Sequence, residues 1–164
     1  MHGNRDFMVA EGFSRATGIR LLQDPTPIDL YGCRTLLLHG DTLCTGDQAY
    51  LAFRAQVRDP AWQAAALAKP IAERVAIAEG MRRQSQGAKE GKGEAIMDVT
   101  DEAVTAAFLS SGCDLMIHGH THRPARHAHE VGGHTRTRWV LPDWYEGGGY
   151  LEATPGALRA VTLT

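Results

Sequence analysis

The chain has 164 residues, 43% hydrophobic and 22% charged, with a formal net charge of −2. That is enough chain for one packed core, and it gives no overall basic footprint for nucleic acid. The three cysteines, Cys33, Cys44 and Cys113, are scattered without a C-x-x-C pair, which favours a reducing cytoplasm over a disulfide scaffold or a thiolate zinc site.

In chain order, "FMVAEGFSRATG" (7–18) predicts a short helix stopped by Gly18. "IRLL" (19–22) and "IDLYGCRTLLLHGD" (28–41) predict strands, the latter a hairpin folded about Gly32-Cys33. The run "TLLL" reads as a strand covered on both faces, ending in His39-Gly40-Asp41. Residues 47–82 turn alanine-rich, with a helical stripe at Tyr50, Phe53 and Val57, and Pro60 and Pro70 divide them into three pieces. "QSQGAKEGKGE" (84–94) reads as a polar loop carrying Lys89 and Lys92. Thr100 is placed to cap a helix over 101–111 that Gly112 ends. "CDLMIH", "RTRWVLPDWY", "GYLEA" and "ALRAVTL" then predict strands, the last two joined through Pro155-Gly156. No run is long enough to span a bilayer, and no secretory signal is visible. The expected fold is a single α/β layered domain with an inserted helical segment at about 47–94.

Three clusters at strand ends carry groups suited to chemistry: Gly3-Asn4-Arg5-Asp6, His39-Gly40-Asp41 and Gly119-His120-Thr121-His122. Glycine lets a ligand approach the backbone, and imidazole with amide or carboxylate oxygen suits Mn²⁺, Fe²⁺ or Zn²⁺. Taken singly, a histidine such as His39 is more often a satisfied polar residue than a ligand, and "GNRD" fits any tight turn. "HGHTH" is harder to dismiss: on an extended strand its two-residue spacing would aim His118, His120 and His122 the same way.

The order and spacing of these clusters resemble the calcineurin-like metallophosphoesterases, whose motifs run D-x-H, G-D-x-x-D, G-N-[HR]-[DE], H-G-[DH] and G-H-[TS]-H. The last three match at Gly3–Asp6, His39–Asp41 and Gly119–His122; the first two have no counterpart. Within that superfamily, "HGNRDF", "LLLHGDTLCTGD", "AIMDV", "IHGHTHRPA" and "LPDWYEGGGYL" are similar to the branch of lipid A synthesis that hydrolyses the pyrophosphate of UDP-2,3-diacylglucosamine. The resemblance implies a layered β-sandwich flanked by helices and a site holding two divalent ions, commonly manganese. Asn4, His39 and His120 would complete one ion's shell and His122 would serve the other, with His118 kept as support. The products would be 2,3-diacylglucosamine 1-phosphate and UMP.

Arg5 stands where many relatives outside this branch carry histidine. Its planar fork suits phosphate oxygens, and a phosphate leaving group needs little protonation. The resemblance makes the inserted segment a substrate cap, with Asn4, Arg5, Asp47, Ser85, Lys89, Lys92 and His120 touching substrate; Lys89 replaces an expected asparagine. Apolar side chains at Tyr50, Phe53, Val57, Ile71 and Val75 would hold acyl chains or serve ordinary packing. Arg82, Arg83, Lys89 and Lys92 would face an anionic lipid or the cytoplasmic surface of the inner membrane, with no obligate protein partner evident. Since the first two motifs are missing, residues 1–164 are expected to be the carboxy-terminal part of a longer enzyme and inactive alone. The alternatives are another dinuclear phosphoesterase or a non-catalytic remnant.

Overall fold

The computed structural model describes residues 1–89, 94–145 and 147–163, with the side chains of residues 88, 89, 94 and 95 outside the description. Helix α1 (Glu11–Thr17) ends at Gly18 as expected but begins four residues late. Phe7 is buried, its ring 6.2 Å from that of Trp62, while its carbonyl accepts a hydrogen bond from Gln63. The residues after α1 differ from expectation: 19–22 form no strand, and pairing starts at β1 (Thr26–Leu30).

β1 and β2 (Cys33–Leu38) form an antiparallel hairpin turned by Tyr31 and Gly32, one position earlier than predicted. Both turn residues have positive φ, 54° and 85°, the backbone a two-residue hairpin turn requires. The Asp29 carboxylate accepts the Gly32 N–H at 2.8 Å and closes the turn.

A long helical crossover leaves β2. After a 3-10 turn at Asp41–Leu43 come α2 (Gln48–Arg58), α3 (Pro60–Leu67) and α4 (Ile71–Lys89), so the three-piece division at Pro60 and Pro70 is correct. Asp47 and Asp59 cap α2 and α3 by accepting N–H bonds from Tyr50 and Trp62. The expected loop from residue 84 is instead helix to Lys89, because Arg82, Arg83, Gln84 and Gln86 are strong helix formers that outweigh Gly87. A second 3-10 turn (Glu94–Met97) leads to α5 (Asp101–Ser111), capped by Thr100 and ended by Gly112.

The chain then enters β3 (Leu115–His118), β4 (Ala125–Val131) and β5 (His134–Val140). The mixed sheet runs β1-β2-β3-β5-β4, with β2, β3 and β5 parallel and an antiparallel strand at each edge. Central β3 is buried on both sides, and α5 lays Val104 and Phe108 against Leu36, Leu38, Met116 and Val131 to make the core. β6 (Gly148–Thr154) and β7 (Ala157–Leu163) form a separate two-stranded ribbon joined at Pro155-Gly156. The architecture is α/β, and no helix among the described residues is long and apolar enough to cross a membrane.

Candidate active site

Parallel pairing of β2 with β3 sets Leu38 opposite His118, so the loops leaving both strands start at the same level. Gly119 stitches them together by donating its N–H to the His39 carbonyl at 3.0 Å, and Leu141, just past β5, donates to the His118 carbonyl at 2.7 Å. Ligand chemistry in parallel sheets gathers at this carboxyl edge.

His39 and His120 meet there. Their facing nitrogens, Nε2 and Nδ1, lie 3.2 Å apart and the rings cross edge-on at 72°. At that distance one of the two nitrogens donates to the other's lone pair, and the tautomers of the rings decide which. Burial lowers the His39 pKa against the pull of Asp41, Asp24 and Asp6, which favours its neutral ring. His120 holds φ at 66° and His122 at 55°, a left-handed backbone that side chains other than glycine rarely adopt and that concentrates at functional sites.

That backbone overturns the expectation of three histidines aimed together. β3 stops at His118, and the chain reverses through residues 119–122 instead of continuing extended. His118 turns inward and is 1% exposed; His120 turns toward His39; His122 stays exposed, 3.5 Å from the Asp143 carboxylate and with its ring 5.6 Å from that of Tyr145.

Helix α2 closes on this end of the sheet through Asp41. The fully buried Asp41 carboxylate accepts from Tyr50 Oη at 2.6 Å and from Arg54 Nε at 2.8 Å, while Arg54 Nη2 reaches Asp24 at 3.1 Å. Asp24 in turn accepts the His39 backbone N–H at 3.1 Å. Burial alone would raise the Asp41 carboxyl, but the Tyr50 hydrogen bond and the Arg54 charge hold it below the usual carboxylate range. The Tyr50 ring also lies 5.7 Å from that of His120. The sequence pointed to Tyr50 only as part of an apolar stripe and not to Arg54 or Asp24, although Tyr50 and Arg54 stand at i and i+4 on one face of a helix following H-G-D.

Arg58 donates to the Gly3 carbonyl at 2.9 Å, and a β-carbon on Gly3 would sit 3.3 Å from His39 Cε1, so the Gly3–Asp6 loop lies against His39. Asn4 is half-buried and Arg5 exposed; neither makes a side-chain hydrogen bond among the described residues. Asp47 caps α2, and Ser85 is exposed on α4. Only the backbone of Lys89 is described, and Lys92 lies outside the described residues. The apolar stripe divides: Val57 is buried and Tyr50 and Phe53 half-buried, whereas Ile71 and Val75 on α4 are 71% and 50% exposed.

Two imidazole nitrogens converging from separate loops are a donor pair of the kind a first-row divalent ion takes once both present lone pairs. Asp41 adds a buried carboxylate oxygen, Oδ1, with no hydrogen-bond partner among the described residues. Among the described residues, no three His, Cys, Asp or Glu side chains converge closely enough to hold an ion by themselves. The residues present therefore fit part of a coordination shell.

Comparison with known proteins carries this further. No family model matches the chain. It is 54% identical over 172 residues to UDP-2,3-diacylglucosamine hydrolase of Xanthomonas axonopodis pv. citri, which covers 99% of this chain and 70% of that protein. The proteins of the same name from Cellvibrio japonicus and Chromobacterium violaceum are 51% and 50% identical, over 96% and 99% of this chain and 66% and 68% of theirs. Against the Xanthomonas oryzae proteins the chain spans 64% of the relative's length, just under two thirds. An α/β sheet that delivers paired imidazoles to its carboxyl edge, with relatives of this kind, marks a chain of hydrolase descent. The chain belongs to the UDP-2,3-diacylglucosamine hydrolase family.

Proposed function

We propose that this chain supplies part of the active site of an enzyme that hydrolyses the pyrophosphate of UDP-2,3-diacylglucosamine to 2,3-diacylglucosamine 1-phosphate and UMP, within a calcineurin-like metallophosphoesterase domain. The carrying observation is the approach of His39 and His120 from separate strand ends to 3.2 Å, beside the Gly3–Asp6 loop. His39 and His120 would hold a divalent ion, Mn²⁺ in this reading, as neutral donors, with the Asn4 amide oxygen and His122 completing the set this chain offers to a two-ion site. When bound, such ions supply Lewis acidity that activates water near neutral pH and offsets phosphoryl charge. Arg5, exposed on the loop that lies against His39, would bind the pyrophosphate oxygens through its fork without giving up a proton. Tyr50 and Arg54 orient the helical segment over the pair through Asp41. Asp47, Ser85, Lys89 and Lys92 would contact the glucosamine and phosphate portion.

The exposed Ile71 and Val75, on the same helix as Arg82 and Arg83, would favour an acylated anionic substrate and peripheral contact with an anionic membrane surface. Residues 1–164 contain neither D-x-H nor G-D-x-x-D ahead of the asparagine motif. The chain alone is therefore expected to turn over little substrate.

A hybrid tests this reading. Replacing the matching stretch of the Xanthomonas axonopodis relative by this chain should preserve manganese-dependent release of UMP. His120→Ala in the hybrid should lower kcat by about 100-fold or more, since even the partners of metal ligands contribute about 10–100-fold. A folded hybrid that cleaves a generic phosphodiester as well as the nucleotide-sugar lipid would favour the broader phosphoesterase. A hybrid unaffected by His120→Ala would remove the site altogether.

A further inference from the structure

Beneath the His39–His120 pair lies a polar row that the proposed chemistry does not use. Arg138, on β5, is 6% exposed; Asp98 and Asp101 act on its charge from a distance, but among the described residues its guanidinium forms no ion pair with a carboxylate. Buried charges are ordinarily paired with an opposite charge. Here the partners are two imidazoles: Nη1 lies 3.0 Å from His118 Nε2, and Nε donates to His129 Nε2 on β4 at 3.1 Å.

Guanidinium can only donate, so His118 Nε2 must carry a lone pair. The proton of the neutral ring then sits on Nδ1, which donates to the Gly119 carbonyl at 2.9 Å. That hydrogen bond fixes the peptide immediately before the left-handed His120. The same ring packs on the other loop: a β-carbon on Gly40, which holds φ at +110°, would fall 2.6 Å from His118 Nδ1. His118 thus touches both the peptide that sets His120 and the glycine that follows His39.

We propose that Arg138 is a positioning residue: by holding His118 in one tautomer, it fixes Gly119 and Gly40 and thereby sets the approach of His120 to His39. The consequence for metal uptake rests on the metal reading given above. The effect on the two rings does not.

The test uses three variants of the 164-residue protein and two measurements. Arg138→Met keeps much of the volume but no donor, Arg138→Gln keeps a donor without charge, and Arg138→Lys keeps both charge and donor. Ring ¹⁵N spectra report histidine tautomers directly. The wild type should show His118 protonated on Nδ1. R138M should lose that signature and shift the ring signals of His39 and His120, while R138Q and R138K should restore them at least in part. If Arg138 merely fills space, R138M should be as stable as wild type or more so, and the His39 and His120 signals should not move; that result overturns the proposal.

Titration with Mn²⁺, followed by loss of the free-ion paramagnetic resonance signal, separates the two readings. Wild type that binds while R138M binds about 10–100-fold more weakly supports both. Wild type that takes up no Mn²⁺, with the ring signals still shifting in R138M, argues against the metal reading for this chain and leaves the positioning role standing.

Discussion

Replacing Asp41 by asparagine removes one charge and almost no volume, so it isolates the electrostatics that fasten α2 to the His39 loop. Asp41 is fully buried, and its Oδ2 takes hydrogen bonds from both Tyr50 and Arg54. In asparagine, an amide nitrogen at that position would face Arg54, donor against donor. With the amide turned the other way, its nitrogen would occupy the Oδ1 position, which has no partner among the described residues. Deleting one partner of a buried ion pair costs roughly 3–5 kcal/mol, and the Arg54–Asp24 bridge at 3.1 Å retains part of that, so about 2–3 kcal/mol is expected. Urea unfolding at neutral pH measures it. The pH dependence gives a second check. A carboxyl held below its unfolded pKa of ~3.9 contributes stability above that value, and the contribution disappears as pH falls through the lower folded value. The gap between wild type and D41N should therefore hold steady through neutral pH and close under strong acid. A gap below about 0.5 kcal/mol, the range of an ordinary surface substitution, would refute the reasoning. So would one that stays open in acid.

Three further outcomes are expected. Phe108→Ala empties a fully buried position between α5 and the sheet, and should destabilise by about 3–5 kcal/mol in urea titrations. Gly40→Ala should cost roughly 2 kcal/mol or more and shift the ring signals of His39 and His118, because its β-carbon collides with His118 in a backbone that alanine resists. Native thiol labelling should modify the half-buried Cys33 well before Cys44 or Cys113: Cys44 is 1% exposed with its thiol pushed up to about 12 by burial, and Cys113 is fully buried. Rapid labelling of Cys44 without unfolding would contradict its placement in the core.

Much of the fold was legible where one residue type forces one backbone. Thr100 and Gly112 bracket α5, Pro60 and Pro70 separate three helices, and Pro155-Gly156 turns the final ribbon. What failed depended on distant partners. "IRLL" has strand-like residues but no strand pairs with it, so Ile19 is left 53% exposed. β4, "ARHAHEV", escaped notice because an edge strand rich in histidine lacks an apolar run, although its alternating burial follows the two-residue period. The loop expected from residue 84 was read from glycine and polarity, whereas arginine and glutamine carry α4 through to Lys89.

The candidate site was legible in residue type and not in direction. The strand period that seemed to align His118, His120 and His122 stops at His118, and two left-handed residues then send the three rings to three different neighbours. Sequence periodicity cannot report a φ of 66° at a histidine, since that backbone is held by the peptide bonds around it and not by its own preference. The meeting of His39 with His120 depends on something still less visible: the register that pairs Leu38 with His118 across a crossover containing four helices. A slip of one residue would offset the two loops by about 3.3 Å and exchange the strand's two packed faces, moving the Met116 face away from α5. Met116 and His118 share that face with the core and with Arg138, so the apolar packing that fixes the register also fixes the separation of the two imidazoles. The chemistry therefore inherits its geometry from the core: Leu36, Leu38, Met116 and Phe108 touch no substrate in this reading, yet they decide whether His39 and His120 can serve one ion.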